Sequence, residues 1–334
     1  MRNLAATYRP TRLDDVVGQK DPKKVLRNHL ATKPTSGYLF VGSAGTGKTT
    51  CARIFAYELN GSMTNVHEIN AADNTGVEGV RKIITDARHK PIGTKYKIFI
   101  LDECHMLTTQ AWNAILKLVE EPPDSVVLLF CTTDPRKIPD TITSRVFRIN
   151  FSRIDTDSAT DRLEWILQQE GITGVSRDPL RYIVQLANGG MRDAITMMDK
   201  VLGYGESIDF DVINSALGLV GFDISLDVLS CFYNHDCKKL IQILDKCNQD
   251  GIDFKAWVQD FRRFALQATE VQLGVDYSDI ALPEDVCKKL AEFPVDGRLM
   301  RALCSLNGLV QIIIMEPDPF TLTKINFLKM AGDF

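Results

Sequence analysis

The chain has 334 residues, 45% of them hydrophobic, with 39 Lys and Arg against 43 Asp and Glu and a net charge of −4. That length exceeds what one hydrophobic core serves, so two or three compact units are expected, and the balanced charge excludes a globally basic nucleic-acid binder. No apolar run approaches the roughly 18 residues of a membrane span, and the N-terminal MRNLAATYRPTRLDDVVGQ lacks the apolar centre of a signal peptide.

A soluble, cytoplasmic protein with no membrane partner is therefore expected. The eight cysteines, at 51, 104, 131, 231, 237, 247, 287 and 304, include no C-x-x-C pair. They read as buried thiols of a reducing compartment.

Up to about residue 150, short apolar runs alternate with helical patterns. The runs are YLFV (38–41), VHEI (66–69), YKIFIL (96–101), VVLLFC (126–131) and VFRINF (146–151). Near-continuous apolar character suits strands buried on both faces, and helical spacers suit right-handed crossovers, so an α/β domain with a five-stranded parallel sheet is expected. After Phe151 the strand signal stops. DTDSATDRLEWILQQEG has capping residues, an apolar face at Leu163, Ile166 and Leu167, and a terminating Gly171. With helices near 178–188 and 191–203 it forms a small helical unit, which a break at GYGESIDF (203–210) separates from a last, all-helical stretch. FKAWVQDFRRFALQATEVQL and LMRALCSLNGLVQIIIM are its clearest helices.

The strongest chemical signal is GSAGTGKTT (42–50), which lies between a strand and a helix. Glycines at 42, 45 and 47 let the backbone N–H groups of a loop also containing Ser43, Ala44 and Thr46 close around phosphate oxygens at a helix N-terminus. Lys48 reaches the β- and γ-phosphates, and the Thr49 hydroxyl ligates Mg²⁺. IFILDECH (98–105) ends an apolar strand in two carboxylates. Strand alternation turns Asp102 and Glu103 in opposite directions, so Asp102 serves Mg²⁺ and Glu103 orients and deprotonates water. A strand merely ending in solvated acids is the plainer reading.

The strand of LLFCTTDPRKIP delivers Thr132 and Thr133 to the edge where a γ-phosphate would lie, with Thr133 the candidate contact. Arg145, in TITSRV, sits at a domain edge where a guanidinium can serve a neighbouring subunit's γ-phosphate. Arg192, in GGMRDAI, opens a helix, where a cation opposes the helix dipole and calls for an anionic partner. Either arginine alone also reads as an ordinary exposed or ion-paired side chain.

With these five elements in this order, the chain resembles the clamp-loader ATPases of the AAA+ superfamily, and among them the gamma/tau family of bacterial DNA polymerase III. The residues carrying the likeness are YRPTRLDDVVGQ (8–19), GSAGTGKTT, ILDECHMLTTQAWNAILKLVEEPP (100–123), TTDPRKIPDTITSRV (132–146) and NGGMRDAITMMD (188–199). The resemblance implies an AAA+ nucleotide-binding domain over 1–153, a helical lid over 154–206 and a helical collar over 207–334. It implies an adenine pocket of Tyr8, Arg9, Pro10, Val17 and Gly18, a phosphate loop running through Lys48, Thr49 and Thr50, Thr133 as first sensor, Arg145 as the finger acting in trans, and Arg192 as second sensor.

It further implies ATP and Mg²⁺ as ligands and a pentameric assembly with other clamp-loader subunits. ATP binding would open a sliding clamp around primer-template DNA, and hydrolysis would release it.

Three departures from the family pattern stand out. NGSMTNV (60–66) crosses directly where the family inserts a four-cysteine module, so zinc is not expected. Val146 replaces the cysteine after the finger arginine, a packing position. The family's long helicase- and polymerase-binding tail has no counterpart in these residues, so no coupling to a helicase is implied; a shortened loader of this kind suits a virus or a compact genome, in which case the location is the host cytoplasm. For DNA, GVRKIITDARHKPIGTKYK (79–97) holds six Lys or Arg against one Asp. Arg81, Thr85 and Arg88 share a helical face suited to phosphates, and His89, Lys90, Pro91 and Ile92 fall where the family meets its clamp. A solvated helix face is the competing reading, since Asn74 and Gly76 stand where related proteins carry basic residues.

A small-molecule P-loop kinase does not explain Glu103 or the paired arginines, and a non-hydrolysing loader subunit would have lost Lys48, Thr49 or the acidic pair. An AAA+ branch-migration or fork-repair ATPase is the remaining alternative, since it would share the nucleotide machinery.

Overall fold

The computed structural model describes residues 3–73, 76–205, 207–276 and 280–332; Asn74 lies outside the described residues. The five expected strands are present as β1 (Gly37–Val41), β2 (Val66–Asn70), β3 (Lys97–Asp102), β4 (Val126–Thr132) and β5 (Phe147–Asn150). All pairings are parallel and the order is β2-β3-β4-β1-β5. β1 lies between β4 and β5, so the loop leaving its end opens at the carboxyl edge, the usual ligand side of such sheets.

Side-chain alternation divides the sheet between two cores. Leu39, Phe99, Leu101, Leu128 and Phe130 pack with helices Val77–Ala87 and Thr109–Glu120. Tyr38, Phe40, Ile98, Ile100 and Leu129 pack with helices Lys20–Ala31 and Lys48–Asn60. Burial on both faces holds for β1 and β4 throughout and for β3 up to Leu101, and fails for β2 and β5, whose residues are mostly half or fully exposed. These two are the sheet edges, where one flank and part of each face meet water.

The chain divides into two compact units. One holds the described residues up to Glu170 together with Leu186–Thr196, and the other holds Gly171–Gln185 and the described residues from Met197 on. The expected lid helices are found at Thr156–Gln169, Arg177–Leu186 and Met191–Tyr204, and the last two run from one unit into the other.

The second unit is helical. Its core includes Phe232, Trp257, Phe261, Leu306 and Phe327, drawn chiefly from helices Phe222–Asn234, Phe254–Gln272, Arg298–Ile313 and Pro319–Gly332. Phe261 and Phe327 stand 5.2 Å apart, and Phe232 meets Phe327 edge-on at 5.6 Å. Among the described residues no single helix is long and apolar enough to cross a membrane. Every cysteine is a free thiol; six are buried, but Cys237 is half-buried and Cys304 exposed, contrary to the uniform burial expected.

Candidate functional site: a phosphate loop and four arginines

The first unit holds a cavity of about 700 Å³ at the end of β1, within the range of small-molecule sites. Glycine is required at two positions of the loop that follows β1. A Cβ on Gly42 would stand 2.5 Å from the Phe151 carbonyl oxygen, and one on Gly45 (φ +71) would stand 2.9 Å from Gly190 Cα. Helix Lys48–Asn60 starts after Gly47 with no side-chain cap, so its first-turn N–H groups remain for an anion. Lys48 is only 6% exposed. Its ammonium donates to the carbonyls of Gly42 at 2.9 Å and Ser43 at 2.8 Å, folded over the loop. Burial lowers its pKa, against the opposing pull of Glu103, Cys131 and Asp102.

Asp102 ends β3. The Thr49 hydroxyl donates to its Oδ2 at 2.9 Å, and the Glu103 N–H donates to its Oδ1 at 3.0 Å. Glu103 is left-handed at φ 47. The strand stops at Asp102 and the backbone turns, so the strand alternation invoked from the sequence does not extend to Glu103; the two carboxylates nonetheless take separate partners, Thr49 for Asp102 and Thr133 for Glu103. Thr133 donates to Glu103 Oε2 at 3.2 Å and reaches the site through that glutamate; it is not on the cavity wall. Thr132 is fully buried. Its hydroxyl oxygen accepts the Asp134 N–H at 3.0 Å and lies 3.2 Å from His105 Nδ1, so only Thr133 of the expected pair faces Glu103.

Tyr8, Arg9, Pro10 and Val17 line the cavity together with Ala44 through Thr50. Gly42, Ser43 and Gly18 do not; Gly18 (φ +62) turns the chain into Gln19. Gln19 was not singled out by the sequence, yet its amide donates to the carbonyls of Ser152 at 2.6 Å and Thr46 at 3.2 Å and accepts the Ser152 N–H. The Arg9 guanidinium donates to Thr50 Oγ1 at 3.2 Å. Its pKa is lowered by burial and by the neighbouring charges of Arg53 and Arg192.

Tyr8 donates to Glu170 at 2.5 Å and meets Trp165 edge-on at 5.7 Å, while Arg162 holds the Tyr8 carbonyl at 3.0 Å and covers the Trp165 ring. Arg162 lines the cavity, as does Arg53, which pairs bidentately with Glu68 at 2.5 and 2.6 Å. On the opposite wall the Met191 N–H donates to the Gly45 carbonyl at 3.0 Å, and the exposed Arg192 follows it. Among the described residues Arg192 has no ion-pair partner.

This arrangement of a lysine-bearing loop, a threonine–aspartate pair and a glutamate has sequence relatives. A family model, "DNA polymerase III, delta subunit", matches residues 59–155. "DNA polymerase III subunit tau" of Bacillus subtilis is 35% identical over 282 residues, covering 77% of this chain and 50% of that one. "DNA polymerase III subunit gamma" of Buchnera aphidicola subsp. Baizongia pistaciae is 31% identical over 275 residues, covering 75% and 74%.

The chain belongs to the DNA polymerase III gamma/tau family.

It spans about half the length of the curated tau relatives it matches. Among solved structures, the gamma/tau-family chain is similar to Thermotoga maritima RuvB, described as a Holliday junction branch migration motor, with a TM-score of 0.53 and 20% identity over 75% of this chain and 87% of that one. The likeness is one of fold, and the α/β domain with a five-stranded parallel sheet expected from the sequence is present.

In this gamma/tau-family chain Arg145 stands apart from its own cavity. It pairs with Glu120 at 3.0 Å and donates to the Thr141 carbonyl at 2.8 Å, with its side chain 41% exposed. Val146 packs against the core shared with Leu39 and Phe130, as a packing residue would. Arg81, Thr85 and Arg88 are exposed along helix Val77–Ala87 and its C-cap, with Gly76 at the N-cap. The Thr85 hydroxyl is turned back to the Arg81 carbonyl. The basic island is smaller than its composition suggests, because buried Lys97 is neutralised by Asp86 at 3.0 Å. His89 and Lys90 are exposed, Pro91 half-buried, and Ile92 86% exposed.

Proposed function

We propose that this chain is the ATP-hydrolysing subunit of a sliding-clamp loader: ATP binding opens the clamp for primer-template DNA, and hydrolysis lets both go. The observation that carries the reading is the convergence of Lys48, the Thr49–Asp102 pair and Glu103 at one phosphate loop. Loss of any of these would suit a non-hydrolysing subunit, and none is lost.

Lys48 moves from its two loop carbonyls to the β- and γ-phosphates, whose charge restores what burial removes from its pKa. Glu103 orients the attacking water and accepts its proton, with Thr133 holding one carboxylate oxygen. Arg192 meets the γ-phosphate from the lid side, and Tyr8, Arg9, Pro10 and Val17 enclose the base. The donor set also fits Mg²⁺: the Thr49 hydroxyl and Asp102 carboxylate are hard oxygen ligands side by side at the loop, and Glu103 N–H fixes the carboxylate's orientation. When bound, Mg²⁺ neutralises charge on the β- and γ-phosphate oxygens.

Arg145 completes a neighbouring subunit's site, so turnover belongs to the pentameric assembly. Residues 1–153, 154–206 and 207–334 act as nucleotide domain, lid and collar. Arg81, Thr85 and Arg88 follow the DNA backbone, and His89 to Ile92 meet the clamp. The test is the ATPase rate of the full chain with its loader partners, with and without clamp and primed DNA. Stimulation by both is expected. A rate indifferent to clamp but raised by branched DNA would overturn the loader reading in favour of branch migration.

A further inference from the structure

His105 follows Glu103 in a short 3₁₀ turn, Cys104–Met106, and its side chain is only 13% exposed. Its Nδ1 stands 3.3 Å from Glu103 Oε2 and 3.2 Å from Thr132 Oγ1. Glu103 Oε2 is also the oxygen that receives the Thr133 hydroxyl.

The protons can be assigned from the neighbours. Thr132 Oγ1 already accepts the Asp134 N–H and keeps a second lone pair. A second donor to Thr132 is then matched by a free lone pair, so Nδ1 carries a hydrogen and shares it between Thr132 and Glu103. A lone pair at Nδ1 would instead face a carboxylate oxygen. With Thr133 and His105 both on Oε2, the carboxylate is fixed about a terminal torsion that is otherwise broad, and Oε1 is left for water.

We propose that His105 is a positioning residue for Glu103: with Thr133 it holds Oε2, so that Oε1 is the oxygen presented to the attacking water. This rests on the hydrolytic reading above. Thr132, unable to reach the cavity, braces the imidazole from β4.

The experiment is steady-state hydrolysis and equilibrium ATP binding by the full chain with its loader partners, for the wild type, His105→Ala and His105→Asn. Asparagine can return an N–H donor near the Nδ1 position. For His105→Ala, kcat is expected to fall by about tenfold, a part of the roughly 10²–10⁴-fold that a general base contributes, with the ATP dissociation constant and thermal midpoint close to wild type. His105→Asn is expected to recover most of kcat. Unchanged kcat in His105→Ala, or a loss matched by weakened ATP binding and not rescued by Asn, would overturn the proposal while leaving wild-type hydrolysis intact. A wild type without ATPase activity would overturn both readings together.

Discussion

The Thr49 hydroxyl and the Asp102 carboxylate, 53 residues apart in sequence, meet at 2.9 Å and join the start of the phosphate-loop helix to the end of β3. In the proposed function this contact would seat Mg²⁺, a hard cation that tolerates little displacement of its oxygen ligands. Asp102→Asn keeps the shape and the hydrogen bond but removes the charge. We expect Mg²⁺-dependent hydrolysis to fall by about 100-fold or more, the loss of several kcal/mol of charge stabilisation. Nucleotide binding without Mg²⁺ should change little. A variant whose turnover and Mg²⁺ titration matched the wild type would remove Asp102 from the metal site.

Gly42 is constrained by space alone, since its φ is not left-handed. Adding a methyl group puts carbon 2.5 Å from the carbonyl oxygen of Phe151, whose own N–H donates to the Val41 carbonyl at 2.7 Å, so that this backbone cannot yield cheaply. Gly42→Ala is expected to cost roughly 1–3 kcal/mol of stability, as overpacking does, and to weaken ATP binding by moving the carbonyl that Lys48 holds. Chemical denaturation and nucleotide titration of the same sample would check this; an alanine variant as stable as wild type would show that the loop relaxes freely.

How far the sequence reached can be followed along the cavity wall. The phosphate loop, Asp102, Glu103 and all five strands were legible because each is written in consecutive residues whose spacing is the signal. Gln19, which ties Thr46 to Ser152, was not, because its partners lie 27 and 133 residues away and nothing local marks a glutamine for bridging. The same holds for Arg162 on the Tyr8 carbonyl and for the Arg53–Glu68 pair, which only the fold brings to one rim. Thr133 was singled out from the Thr132–Thr133 pair, but its route to the site through Glu103, with Thr132 turned into the core, is set by where the strand ends. Edge-strand exposure was misjudged for a related reason, since strand order is not readable from a single run of apolar residues.

Lys48 gives the site a pH dependence of definite sign. Burial holds its pKa below the ordinary 10.5, so between the lowered value and 10.5 the folded chain binds fewer protons than the unfolded one. Stability of the nucleotide-free protein therefore gains from this residue as pH rises through that window. Phosphates arriving beside the ammonium raise its pKa again, so ATP binding must take up protons there and affinity must decline as pH climbs. Calorimetry at alkaline pH, in two buffers of different ionisation heat, should show uptake in the wild type and none in Lys48→Arg, whose guanidinium stays charged. Equal heats for the wild type in both buffers would contradict the assignment.

Arg145 and Glu120 form a pair whose two side chains are each 41% exposed, and exposed pairs of this kind contribute about 0–1 kcal/mol. Arg145→Ala should consequently leave folding and ATP binding nearly unchanged, while a finger acting in trans makes hydrolysis collapse, by about 10³-fold or more. The same geometry allows a sharper test, because Arg145 lies off its own cavity and Lys48 lies within it. An Arg145→Ala chain keeps a complete phosphate loop and lacks a finger; a Lys48→Ala chain keeps the finger and lacks the loop. In an assembly that holds adjacent copies, mixing the two inactive variants should restore a fraction of turnover, since a Lys48→Ala neighbour can serve an Arg145→Ala site. No recovery in mixed assemblies of verified composition would mean that the arginine does not act between subunits, and would leave it the local contacts to Glu120 and the Thr141 carbonyl.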